Sequence, residues 1–195
     1  SATQRVAIAQ TELQLAQTNP QMHNLYQAYR DMYEALGVKN IDQVLPPPPP
    51  PQPKNPAMEH IDAMAGKPSQ AFTGQDHQAH IAAHVAFMAT AMAKNNPMIT
   101  SALEKNIFEH ISLMADEQVQ MEMRDQLVKL QELNQLLQNP RTAENPEIQN
   151  EFTRIQLEVE SRKAILIAEM TEDFLQEEKK VSGDFGNDPI AKLRA

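Results

Sequence analysis

The sequence predicts an all-α fold made of helical segments, a polyproline strap and two long C-terminal helices. The composition is rich in Ala, Gln, Glu, Leu and Met, which favour helices. With 5 glycines and 5% aromatic residues, a β-sandwich or barrel is disfavoured, because such folds use β-branched and aromatic strands joined by glycine turns. Asn-Pro pairs are the third observation, since Asn caps a helix and proline suits its first position.

Five Asn-Pro pairs divide the 195-residue chain into helical segments, at 19–20, 55–56, 96–97, 139–140 and 145–146. The segments between them predict helices at 2–18, 20–36, 56–65, 75–94, 97–138 and 146–180. We therefore expect five regions: helical 1–45, a polyproline linker over 46–56, short helices over 57–96, a long helical hairpin over 97–180, and a flexible tail over 181–195.

The second predicted helix has one apolar face and a glycine at its end. Apolar residues recur there at intervals of three and four, as expected of a helix that packs on a neighbour: Met22, Leu25, Tyr26, Tyr29, Met32, Tyr33 and Leu36. Gly37 follows at the position of a left-handed helix cap.

Six consecutive prolines, residues 46–51, predict an extended polyproline II rod. With its flanks, this rod would span about 30 Å at ~3.1 Å per residue. It could be a docking ligand for an SH3-like groove or a stiff strap across the protein's own surface. The strap is favoured, because the flanks lack the basic residues that such ligands usually carry.

The last two predicted helices are long, and the last one carries an apolar seam. Ile148, Phe152, Ile155 and Val159 follow a 4-3-4 spacing, which is typical of packing on another helix within an oligomer or a coiled coil. The connection over 140–145 is short enough to fold the two helices into an antiparallel hairpin.

Charge and cysteine content exclude several classes of function. The net charge is −9, and residues 101–195, with eleven Lys/Arg and nineteen Asp/Glu, carry eight of these charges. Such a chain is not a basic, groove-reading nucleic-acid binder. The lack of cysteine excludes disulfides, thiolate metal sites and cysteine nucleophiles within this sequence, and fits a reducing compartment.

The chain begins with Ser1 in the middle of a predicted helix, so we expect further residues to precede it. Its N-terminus has neither the basic start nor the apolar run of a signal peptide. No apolar run reaches the ~20 residues of a membrane span, and we expect no membrane association.

Three histidines predict the strongest candidate site. His77, His80 and His84 share one face of a helix, with Asp76 at its start. Because His77 and His84 lie ~10 Å apart along the axis, three ligands from this helix cannot reach one ion, although His80 and His84 together could, with Asp76. The favoured alternative is that the histidines contact a neighbouring helix or subunit while Asp76 caps this one.

Familiar catalytic signatures are missing from the sequence. There is no P-loop, dinucleotide-binding glycine motif, zinc-protease HExxH or GxSxG elbow, so no standard nucleotide or hydrolase site can be drawn. We therefore expect no enzyme activity, no cofactor and no metal.

The order of the motifs resembles the C-terminal part of portal proteins of tailed bacteriophages. A helix ending in LQLAQTNP is followed by LYQAYRDMYEALGVKNIDQVLP, the proline strap and NPAMEHIDAMAGKPSQAFTGQDHQAHIAAHVAFM, and then by two long Gln-rich helices. The resemblance covers most of residues 5–114 and is sharpest over 29–45 and 64–88. The long helices match in character only.

This resemblance implies a structural subunit of a portal ring, the head-to-tail connector at one capsid vertex. The ring would hold twelve copies and pass double-stranded DNA during packaging and ejection, without binding it tightly. The chain would supply a wing helix over 1–45 and a crown or oligomeric helical barrel over 97–180. The rest of a portal chain would meet the major capsid protein, the terminase motor and the tail adaptors. Assembly would take place in the host cytoplasm, and the mature location would be the virion.

Two other functions remain open. One is a coiled-coil scaffold or adaptor that uses the proline run as a docking ligand. The other is a metal-dependent helical-bundle enzyme that uses His80, His84 and Asp76.

Overall fold

The computed structural model describes residues 1–20 and 22–186, and it places them in nine α-helices and their connections. Because no β-strand occurs among these residues, the all-α class is confirmed. The chain divides into two compact units, Ser1–Gln52 and Pro53 onward. None of the described helices is both long and apolar enough to span a bilayer.

The first unit contains three helices: α1 (Ala2–Thr18), α2 (Leu25–Ala35) and α3 (Ile41–Val44). A reciprocal capping box between Ser1 and Gln4 begins α1. The helix packs on α2 and buries Ala9 and Ala16, whose small side chains allow close approach. Gly37 has a φ of +76°, which confirms the predicted left-handed cap after α2.

The predicted start of α2 at Pro20 is wrong. The helix begins at Leu25, because the Asn24 side chain accepts a hydrogen bond from the backbone N–H of Gln27 at 3.0 Å. The first Asn-Pro pair therefore lies at the end of α1 and does not begin α2.

The second unit contains α4 (Pro56–Met64), α5 (His77–Met88), α6 (Ala91–Lys94), α7 (Pro97–Glu122), α8 (Arg124–Gln138) and α9 (Pro146–Gly186). Three of these helices, α4, α7 and α9, begin at Asn-Pro pairs as predicted. The side chains of Asn55, Asn96 and Asn145 accept first-turn backbone hydrogen bonds at 2.9, 3.1 and 3.0 Å.

Two predicted helices are each divided. The helix predicted over 75–94 stops after Met88, and Thr90 then caps α6 by accepting from the backbone N–H of Ala93. The helix predicted over 97–138 bends at Met123, whose φ of −117° and ψ of 32° are not helical. The buried Met123 side chain packs with the α7–α9 core, so the bend keeps the apolar stripe facing α9.

The last helix is longer than predicted. It extends to Gly186, about 62 Å at 1.5 Å per residue, so residues 181–186 are helical where a flexible tail is predicted. The remaining predicted tail, residues 187–195, lies outside the described residues.

Helix α7 is the centre of the second unit, since α4, α5, α6, α8 and α9 all contact it. Cross-contacts show that α9 runs antiparallel to α7. Arg162 binds Glu122 at 2.8 Å and Lys163 binds Asp116 at 2.7 Å, while the ring of Phe108, earlier in α7, meets that of Phe174, later in α9.

The apolar core follows the buried stripe of α7. Its larger part joins α7 to α4, α5, α6 and α9: Ala63, Val85, Met88, Ala93, Ile99, Leu103, Ile107, Ile111 and Phe174. A second part, of Ala115, Val119, Met123 and Leu166, joins α7 to α9 near the bend.

The predicted α9 seam is largely covered within the chain. Ile155 is buried, Val159 packs against the second part of the core, and Ile148 and Phe152 are half-buried. Since α9 packs along α8 and α7, the buried part of this seam contributes to packing within the chain.

Replacing a central core residue tests this arrangement. Ile107→Ala leaves a cavity in a fully buried position, and we expect the free energy of unfolding to fall by about 2–5 kcal/mol in urea titrations followed by circular dichroism. Met121→Ala, at a position 82% exposed, is the matched control, with an expected change below about 0.5 kcal/mol. Equal effects of the two substitutions would contradict the central position of α7.

Candidate functional site

A cluster of buried polar side chains lies where α4, α5 and α7 meet. Its members are Glu59, His60, His77, His80, His84, Asn106 and His110, and all but the half-buried His60 are at least nine-tenths buried. We call this the histidine cluster. It gathers five of the six histidines of the chain, whereas such residues mostly lie at least partly exposed.

Three helices position the cluster. Asp76 caps the start of α5, since its carboxylate accepts from the backbone N–H of Ala79 at 3.0 Å. The helix presents His77, His80 and His84 on one buried face. Helix α4 brings Glu59 and His60. Helix α7 brings Asn106 and His110, which stand at i and i+4 within its apolar stripe.

A hydrogen-bonded chain fixes the orientation of His110. Glu117 lies 3.0 Å from Nε2 of His77, and Nδ1 of His77 lies 2.8 Å from Nδ1 of His110. With neutral imidazoles, His77 donates to Glu117 and accepts from Nδ1–H of His110. Nε2 of His110 then carries a lone pair, and it has no hydrogen-bond partner among the described residues.

Glu117 is held in its ionised form. Its Oε1 also accepts from the backbone N–H of Gly74 at 2.9 Å, and this bond, together with the one from His77, lowers the pKa of the carboxyl group. The carboxylate thus ties the loop before α5 to α7 and provides a firm acceptor for His77.

His84 uses both ring nitrogens. Nδ1 lies 2.8 Å from Nε2 of His60, and Nε2 lies 2.9 Å from Oδ1 of Asn106. The His60 ring also stacks on Phe87 at 4.2 Å between centroids. The side-chain amide nitrogen of Asn106 is buried and has no hydrogen-bond partner in the described part of the chain.

Glu59 is the least satisfied member of the cluster. Both carboxylate oxygens are buried without a hydrogen bond from any described residue. Nδ1 of His80 lies 2.6 Å from Oε1, but not along the line of a ring N–H, and Nε2 of His84 lies 3.9 Å from the same oxygen. Burial raises the pKa of Glu59 and outweighs the opposing effects of His80 and Asn106, because an ionised carboxylate is costly to remove from water.

Burial also keeps the inner histidines uncharged. Burial, followed by the effect of the neighbouring histidines, lowers the pKa of His84 to about 4 and that of His110 to about 3. Near pH 7 both imidazoles are neutral, which is the form that can bind a metal ion.

Four side chains of the cluster converge. One donor atom from each of Glu59, His80, His84 and His110 lies within 4.8 Å of every other. Because all four residues are at most 7% exposed, the group can enclose an ion but offers a substrate no open approach. The arrangement is therefore a closed cluster of potential metal ligands.

The structure places the predicted site residues in two roles. His80 and His84 come together as proposed for a metal, whereas Asp76 caps α5 away from them. His77 and His84 contact α7 through His110 and Asn106, as the alternative interpretation expected. The sequence patterns do not predict Glu59 or His110 as site residues. A histidine and an asparagine within the apolar stripe of α7 are the one feature of the sequence that indicates His110.

Comparisons of this chain with protein-family models, with curated protein sequences and with solved structures give no match.

Glu59→Gln tests whether the buried negative charge of Glu59 is left without a compensating partner. The test uses protein treated with a chelator. The amide keeps the shape, carries no charge and can donate to the lone pair of an imidazole, so we expect unchanged or higher stability, by up to about 3 kcal/mol, in urea unfolding at pH 7. A loss of more than about 3 kcal/mol would instead indicate a strong buried ion pair with His80.

Glu117→Ala tests the tie between α7 and the preceding loop. We expect a loss of about 1–2 kcal/mol at pH 7, since the charged hydrogen bonds are partly exposed, and faster hydrogen exchange at Gly74. Folding lowers the pKa of Glu117 from its ordinary value of 4.5. The stability that its carboxylate contributes is therefore fully present above pH 4.5 and declines as the pH falls below it. Glu132→Ala, exposed on α8, is the control, and an equal effect there would refute the tie.

Proposed function

We propose that the chain is a structural subunit of a tailed-bacteriophage portal ring, the channel for genome packaging and ejection at one capsid vertex. The order of the sequence motifs supports the family. The observation that carries assembly is the long antiparallel packing of α8 and α9, which leaves large apolar side chains facing water.

These exposed side chains are distributed along both helices, and each is at least 40% exposed: Val128, Leu136, Leu157, Ile165 and Leu175. Full burial of one such side chain stabilises an assembly by about 1.5–3 kcal/mol. A second copy of the same chain would bury them by helix-on-helix packing. Repetition of one such contact forms a ring when the rotation between neighbouring copies divides a full turn.

The charge of this region suits a surface that DNA passes. Arg154, Arg162 and Lys163 of α9 pair with carboxylates of the same chain, which offset their positive charge toward phosphates. The excess of acidic residues after position 100 repels the DNA backbone, whereas a basic bore would hold it through released counterions.

Within a portal, the first unit would correspond to part of the wing, and the hairpin over 97–180 to the crown or barrel. Twelve copies would form the ring. The capsid protein, the terminase motor and the tail adaptors would bind elsewhere on the portal chain, and the polyproline run would act as a strap between helical parts.

The buried site argues against the enzyme alternative, because a substrate cannot reach Glu59, His84 or His110 without opening the core. The adaptor alternative differs in the role of residues 46–51. Replacing these prolines by a Gly/Ser linker of similar reach would abolish partner binding by an adaptor, but would mainly loosen the assembly of a ring.

The proposal is tested on the purified protein by mass photometry and by end-on electron micrographs. We expect a cyclic oligomer of high order with a central hole. Leu157→Glu combined with Ile165→Glu places charges in the exposed apolar surface of α9, so we expect smaller species. The matched control is Met92→Glu, a similarly exposed residue on the short helix α6, which should leave the ring intact.

A protein that stays monomeric at tens of micromolar would contradict the proposal. So would an oligomer that Met92→Glu disrupts as strongly as the double substitution on α9.

A further inference from the structure

We propose that Glu59, His80, His84 and His110 form a structural binding site for a divalent transition-metal ion, with zinc as the best match, that joins α4, α5 and α7. Three imidazoles and one carboxylate are ligands that Zn²⁺ accepts, and four protein ligands complete a closed tetrahedral site. The proposal stands on the geometry of the histidine cluster and does not depend on ring assembly.

The donor atoms are close to the spacing that such an ion requires. Ligands at ~2.0–2.1 Å from zinc in a tetrahedron lie about 3.3 Å from each other. Oε1 of Glu59 lies 2.6 Å from Nδ1 of His80 and 3.9 Å from Nε2 of His84, on either side of this value. All four donors lie within 4.8 Å of each other, so side-chain shifts of about 1 Å would suffice.

The unsatisfied atoms point to a cation. Both oxygens of Glu59, Nδ1 of His80 and Nε2 of His110 are buried and lack hydrogen bonds within the described part of the chain. Buried polar atoms are nearly always partnered, and a cation would engage these acceptors together. It would also neutralise the buried carboxylate.

A second layer of contacts orients the ligands, as at known metal centres. Glu117 acts through His77 to place the proton of His110 on Nδ1, which leaves Nε2 free to bind. For His84 to bind through Nε2, its proton must lie on Nδ1 and be donated to His60, 2.8 Å away. Metal binding then replaces the hydrogen bond from Nε2 to Asn106.

The chemistry selects among ions. Three nitrogen donors favour zinc and its neighbours in the first transition series over Mg²⁺ and Ca²⁺, which prefer oxygen ligands. Since all four ligands belong to the protein and are buried, the ion would stabilise the fold and would not activate water.

The site is tested on the whole 195-residue chain, stripped with a chelator and titrated with Co²⁺. We expect one equivalent to produce the visible absorption bands of tetrahedral cobalt, and an added equivalent of Zn²⁺ to remove them. His110→Ala should abolish these bands. His23→Ala, which removes the one histidine outside the cluster, should retain them.

Thermal unfolding provides a second readout. At a zinc concentration about 100 times the dissociation constant, the wild-type melting temperature should rise by about 5–10 °C, whereas Mg²⁺ should have no effect. Glu59→Gln keeps the shape of the side chain and guards against a variant that fails to fold. It should weaken zinc binding by more than the roughly 10–100-fold that loss of an outer contact costs.

Wild-type protein that shows neither cobalt bands nor a zinc-dependent shift would overturn the proposal, and the cluster would then be a metal-free hydrogen-bond network. Bands that persist unchanged in both His110→Ala and Glu59→Gln would also overturn it, because the ion would then bind elsewhere. Neither result would bear on whether the chain forms rings.

Discussion

The burial of a carboxylate and several imidazoles against α7 is the constraint on which the second unit depends. Removing such polar groups from water costs roughly 2–7 kcal/mol each unless they find partners. The partners of two imidazoles are on other helices: His77 reaches His110, and His84 reaches Asn106 and His60. Helices α4 and α5 must therefore meet α7 in one particular register, which apolar packing alone would specify less strictly.

This constraint separates two parts of the unit. Around the first half of α7, the short helices α4, α5 and α6 enclose the cluster and most of the apolar core. Beyond it, α7 bends at Met123 into α8, and α9 packs back along both helices, bound through Glu122 and Asp116. The part that holds the histidine cluster thus carries a hairpin whose outer face retains exposed apolar side chains.

Much of the fold could be predicted from the sequence, because the Asn-Pro signals act locally. Asn55, Asn96 and Asn145 cap helices where expected, and Gly37 adopts the left-handed conformation. The bend at Met123 could not be predicted, since no proline or glycine marks it and it follows from packing on α9.

The site was predictable only in part, for a similar reason. His80 and His84 share a helix face, which their spacing reveals. Glu59 and His110 come close to His80 and His84 only because α4 and α7 pack against α5, and the spacing of residues along the chain does not predict this packing. Asp76, close in sequence, serves its own helix terminus.

The most direct measurement is anomalous X-ray scattering at the zinc absorption edge, from crystals of the protein grown with one equivalent of Zn²⁺. We predict one strong peak enclosed by Glu59, His80, His84 and His110, about 2.0–2.2 Å from one donor atom of each. Peaks only at the protein surface, with the histidine cluster empty, would contradict a metal as the link between these helices.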